Sequence, residues 1–171
     1  VLLNGQPVTL TDAGAGRIQL VDLEVHNVLE ARGTMRFSRA GQGLHRAIDP
    51  ADDEAYVYGH LFLDAAPTVF ACFDQPDLKA PYRVTVVAPA GWTVIGNGAA
   101  TQTAPGQWTL AETQPLATYF VTVCAGPYAS VRAEHDGIPL GVHARRSLED
   151  ALVAQADDLF DVTRQSFDYY H

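Results

Sequence analysis

The chain has 171 residues, 47% of them hydrophobic and 18% charged, a length that fits one domain, or one domain and part of another, and a composition that excludes bulk disorder. Eleven Lys+Arg against twenty Asp+Glu leave a net charge of −9, so no nucleic-acid partner is expected, because phosphate binding needs a basic patch. Apolar runs are only a few residues long, so no membrane association through a spanning helix of about 20 residues is expected.

The opening VLLNGQPVTL reads as a strand, a turn at Asn4-Gly5 and a second strand. No basic or apolar leader precedes it, so the sequence is expected to start inside a fold, and a targeting segment of a longer parent would not be visible in it. The location expected is cytoplasmic. Gly14-Ala15-Gly16 follows no strand–helix pattern and reads as a turn rather than a dinucleotide loop. In segment 25–37, Val25, Leu29, Ala31, Met35 and Phe37 alternate with His26, Glu30, Arg32, Thr34 and Arg36, which predicts a half-buried strand bent at Gly33. Residues 38–55 are polar and turn-rich and predict a long loop, with Asp52-Asp53-Glu54 solvated.

From Tyr56 to Tyr82 an aromatic strand leads into a helix-like stretch and a turn at Gln75-Pro76, where Asp77 caps and Lys79 pairs with Asp74 or Asp77. Tyr82–Val87 and Trp92–Ile95 read as a hairpin-like pair through Pro89-Ala90-Gly91, and Gly96-Asn97-Gly98 breaks the chain. Further strands are expected at 107–111, 118–124, 128–133 and 138–144, the last two joined at Asp136-Gly137. The expectation is a mainly β fold, an antiparallel β-sandwich or open saddle. At Ser147 the period changes. Ser147 reads as an N-cap, and Leu148, Leu152, Leu159, Phe160, Thr163, Phe167 and Tyr170 recur at helical spacing. This C-terminal α-helix has no stop signal before His171, which predicts a chain that continues.

Chemistry is sparse. The histidines are His26, His45, His60, His135, His143 and His171, none four residues from another, and H-E-x-x-H is absent. No G-x-S-x-G elbow and no phosphate loop occur. No metal site and no catalytic residue is assigned within the chain. Cys72 and Cys124 lie in apolar surroundings and read as buried free thiols, with a single disulfide possible but not signalled.

Phe70-Ala71-Cys72-Phe73-Asp74-Gln75-Pro76-Asp77-Leu78-Lys79-Ala80 resembles a segment of the aminopeptidase N family of zinc aminopeptidases, of the form Phe-Pro-Cys-Phe-Asp-Glu/Gln-Pro-x-x-Lys-Ala. Gly43-Leu44-His45-Arg46 with Asp49-Pro50, Pro89-Ala90-Gly91-Trp92 with Gly96-Asn97-Gly98, Pro115 to Tyr119, Gly126-Pro127-Tyr128 and the stretch from His135 to Leu148 resemble further family segments in the same order. The resemblance implies a saddle-shaped N-terminal β domain at 1–140, lacking its first strands. Residues 141–171 would be the last strand or linker and the first helix leading into a catalytic domain.

In the family that domain carries Gly-x-Met-Glu-Asn and the zinc-binding H-E-x-x-H, whose Glu acts as general base for a zinc-bound water. Neither motif occurs here, so the resemblance implies a non-catalytic fragment with no cofactor of its own, inactive alone, and zinc in the parent enzyme. Its partners would be the catalytic domain of the same polypeptide, met by the apolar stripe of helix 147–171, and a peptide substrate. A family loop carrying Gln-x-Glu or Gln-x-Gln reaches the substrate's first residue. Those positions fall at His60 and Phe62, and the nearby family Arg is Pro67. His60 is then a candidate hydrogen-bonding group and Phe62 a candidate apolar wall, although a Phe between Leu61 and Leu63 also fits a core. The alternative is a stand-alone β-sandwich binding or scaffolding module.

Overall fold

Left-handed residues close the first turns. Asn4 (φ 51°) and Gly5 (φ 79°) join β1 (Leu2–Leu3) to β2 (Gln6–Pro7), as a tight hairpin requires. A computed structural model describes residues 1–14 and 16–170, with the short strands β3 (Thr11–Asp12), β4 (Ile18–Gln19) and β5 (Leu29–Glu30) completing the N-terminal part. The long strand expected over 25–37 is corrected. Only Leu29–Glu30 is strand, paired with β1, and Val25 is 92% exposed. Its alternation matches a buried face, but none of the described residues before Gly43 is buried.

The loop expected over 38–55 is also corrected. It contains β6 (Gly43–Ile48), which pairs antiparallel with β7 (Ala55–His60) along its whole length. Beyond these come β8 (Thr85–Val87), β9 (Thr93–Gly96), β10 (Ala100–Ala104), β11 (Gln107–Leu110) and β12 (Val123–Gly126). The four-stranded sheet runs β6-β7-β12-β9 and the three-stranded sheet β10-β11-β8, all antiparallel. So β8 and β9, expected as a hairpin, lie in different sheets. Residues 118–124 split into a 3-10 turn, Thr118–Phe120, and the start of β12.

One face of the four-stranded sheet supplies Leu44, Val57, Val94, Val123 and Ala125. They pack with Val84, Val86, Trp108 and Leu110 from the other sheet or its edge. Alternation thus carries residues of both sheets inward, as in a β-sandwich. A second cluster, Leu61, Ala66 and Val121 with Val69, Phe70, Cys72 and Tyr82, fills the space under the β7–β8 connection.

β13 (Tyr128–His135) and β14 (Ile138–Arg145) form the hairpin expected at Asp136-Gly137, both in positive φ (50° and 77°). Helix α1 (Glu149–Tyr170) packs on this hairpin and buries Leu152, Ala156 and Phe160. Burial of Leu152 and Phe160 stabilises by about 1.5–3 kcal/mol each. Ser147 does not cap the helix. It sits in a 3-10 turn, Arg146–Leu148, and its hydroxyl donates to Asp49 at 2.5 Å. The end of the helix stripe at His171 lies outside the described residues. Among the described residues no helix is long and apolar enough to cross a membrane.

Candidate functional site

The β6–β7 register sets His60 opposite Gly43, and two left-handed glycines, Gly41 (φ 79°) and Gly43 (φ 74°), bend the chain as it enters β6. A Cβ at Gly43 would stand 2.9 Å from Thr68 Oγ1, so the bend is also closely packed. The Gly41 backbone is gripped twice. Its N–H donates to His45 Nδ1 at 2.9 Å, and its carbonyl lies 3.2 Å from His60 Nδ1. A carbonyl only accepts, so His60 Nδ1 carries a proton in this contact, which leaves Nε2 as the acceptor of the neutral ring. His60 is exposed.

Two residues on, Leu61 and Phe62 part company. Leu61 is 4% exposed in the second core cluster, whereas Phe62 is 53% exposed and its neighbour Leu63 60%. Phe62 meets Tyr119 edge-on, ring centroids 5.6 Å apart, and Tyr119 lies 4.6 Å from Phe120. The core alternative for Phe62 is therefore not what the structure shows. Among the described residues no hydrogen bond or ring contact joins His60 to Phe62. Each has its own partners, Gly41 and Tyr119. Tyr119 and Phe120 were not singled out from the sequence as site residues. The only signal was the order of motifs, which placed Tyr119 at the end of Pro115 to Tyr119.

The Phe70–Ala80 segment works as a brace. Asp74 Oδ1 accepts from Thr118 Oγ1 at 2.6 Å, and Thr118 is 3% exposed. Ala80 pairs with Leu116, and the Tyr82 N–H donates to Thr113 Oγ1 at 3.0 Å. Lys79 forms no ion pair among the described residues; Asp77 instead accepts from Gln75 Nε2 at 2.9 Å. This motif, with Tyr82 just beyond it, thus fastens the 113–118 stretch, which runs directly into Tyr119.

Nucleophilic chemistry is not supported here. Burial and the Asp74 charge push the Cys72 thiol up, and burial pushes Cys124 up, so neither favours the thiolate. Both cysteines are free. Burial, with Cys124, Tyr56 and Tyr58 nearby, pushes the Tyr128 phenol up to about 12. Zinc of the kind the family resemblance implies needs more than one histidine beside a carboxylate. Among the described residues one group converges, His135 with Asp136 and Asp168, and it has a single imidazole. That donor set does not fit the family's zinc.

Comparison with known proteins places the chain. It is 42% identical over 148 residues to an aminopeptidase N from Streptomyces lividans, covering 84% of this chain and 17% of that protein. This chain is a homologue of aminopeptidase N. A second aminopeptidase N, from Acetobacter pasteurianus, is 31% identical over 90 residues, 50% of this chain and 25% of that protein. Human glutamyl aminopeptidase is 26% identical over 107 residues, 59% of this chain and 11% of that protein. No family model matches. The chain spans only a small part of the length of these aminopeptidases. Its mainly antiparallel β-sandwich with one C-terminal helix agrees with the fold class expected from the sequence.

Proposed function

We propose that this chain is a non-catalytic N-terminal part of a longer aminopeptidase that removes first residues from peptides. The observation that carries this reading is the 42% identity to aminopeptidase N across most of this chain and a small share of that enzyme. On this reading residues 1–140 are the β domain and 141–171 lead into a catalytic domain of the same polypeptide. Residues outside this chain hold the zinc.

Two features support a role in shaping the substrate pocket. His60, tied through Nδ1 to Gly41, keeps Nε2 as an acceptor suited to an ammonium or amide N–H of a peptide's first residue. Phe62, with Tyr119 and Phe120, offers an exposed aromatic wall suited to an apolar first side chain. The apolar shoulder of α1, with Leu159 44% and Val162 64% exposed, supports contact with the catalytic domain.

The test compares this 171-residue chain with the full-length parent for hydrolysis of alanyl and leucyl amides, with and without a zinc chelator. The expected result is an inert chain beside a chelator-sensitive parent. An inert parent would sink the enzyme reading in favour of a binding or scaffolding module, and activity in the chain alone would mean a site within these residues.

A further inference from the structure

We propose that His135, Asp136 and Asp168 form a binding site for a divalent transition-metal cation that clasps the tip of the β13–β14 hairpin to the end of α1. The ligand atoms of the three side chains all lie within 4.8 Å of one another. His135 Nε2 already stands 2.7 Å from Asp168 Oδ1. Ligands about 2.1 Å from a common ion stand about 3.0–3.4 Å apart, so this pair needs only a small opening to share one.

The site is partly preorganised. The His135 side chain is 18% exposed and its ring lies 6.2 Å from that of Phe167, while the Asp168 side chain is 64% exposed. The imidazole is held and the carboxylate is free to adjust, with water able to complete the coordination shell.

Charge supplies a separate argument. Asp168 is an exposed carboxylate on α1, brought to the hairpin tip beside His135. Asp136 adds a second carboxylate. Against the two carboxylates of this group stands one imidazole, which balances charge only when protonated. A dication answers that deficit without requiring protonation. One nitrogen with two oxygens favours the manganese-to-zinc series over magnesium or calcium, which prefer oxygen alone. The donor set differs from the zinc set of the family, and the inference rests on no part of the proposed function.

Calorimetric titration of the 171-residue chain with zinc chloride in a non-coordinating buffer tests it. One cation per chain is expected, with binding weakened at least about tenfold by Asp168→Asn and by His135→Gln. Asp157→Asn, which removes an exposed carboxylate elsewhere on the same helix, should leave it unchanged. Manganese should broaden the amide resonances of 134–137 and 166–170 first. The proposal fails if no saturable binding occurs, if calcium binds as well as zinc, or if Asp168→Asn binds like the parent. Because Asp168 is exposed and the change isosteric, that variant decides the matter even if His135→Gln disturbs the hairpin.

Discussion

Asp49 is 3% exposed, yet its surroundings favour the charged form. The Ser147 hydroxyl and the Ala51 N–H donate to it and Arg145 Nη1 lies at 3.2 Å. Together they outweigh burial and hold its carboxyl below the usual range. Beside it, Tyr56 donates to Asp52 at 2.6 Å and accepts from the Arg146 N–H at 3.0 Å. These contacts latch the β6–β7 turn to the start of α1. A lowered carboxyl adds stability that is present above the unfolded value of about 3.9 and is lost as pH falls through the folded one. Asp49→Asn is therefore expected to melt lower at neutral pH and to show a shallower fall of melting temperature below about pH 4. A parallel acid profile in the two proteins would contradict the latch. None of this was legible in the sequence. Ser147 looks like a helix cap by local spacing, and its actual partner is 98 residues away. Leu61 and Phe62 make a second residue-scale test. Leu61→Ala should cost about 2–5 kcal/mol by thermal or denaturant unfolding, because it empties a core. Phe62→Ala should cost only about 0.5–1.5 kcal/mol, the worth of one edge-on ring contact. Equal losses would place Phe62 in the core after all.

At the scale of elements, the Gly96-Asn97-Gly98 break proves to be a seam. Asn97 Nδ2 donates to the Phe120 carbonyl at 2.8 Å, and its Oδ1 accepts from the Thr122 N–H at 2.7 Å. The glycines let the backbones close up. A Cβ at Gly98 would fall 2.1 Å from the Ala111 carbonyl oxygen, and one at Gly96 would fall 3.0 Å from that of Thr122. Gly98→Ala should therefore destabilise by at least about 1–3 kcal/mol, since backbone on both sides must shift. Gly33→Ala meets nothing within 4 Å and does not sit at positive φ, so it should be neutral or add about 0.4–1 kcal/mol. Unfolding midpoints of the pair check both signs. The hairpin at Asp136-Gly137 and the helix were legible because local chemistry sets them: positive φ in the turn, a 3.6-residue period in the helix. Which strands pair was not. β8 and β9 are neighbours in sequence but take β11 and β12 as partners, a choice made by which apolar face each shows the core.

Across the whole molecule, order is distributed unevenly, and this bears on how the candidate site is held. His60 ends β7, a central strand flanked by β6 and β12, and Tyr119 is braced through Thr118 to Asp74. The site residues thus hang from the best-packed part of the fold, although the sequence marked them only through resemblance and not through any local signature. The N-terminal part has the opposite character. Its strands are two residues long, and Val21, Leu23, Val25 and Val28 are 57%, 55%, 92% and 64% exposed. With few buried contacts, local opening there costs little, whereas amides of a packed central strand exchange only when the sandwich opens. Hydrogen exchange should accordingly protect β7, β9 and β12 most strongly and leave 20–37 close to the unprotected rate. If exchange in 20–37 were as slow as in β7, those apolar residues would have to be covered by a contact the single chain does not make, such as a second copy. Dilution would then restore fast exchange in 20–37 and leave β7 unchanged.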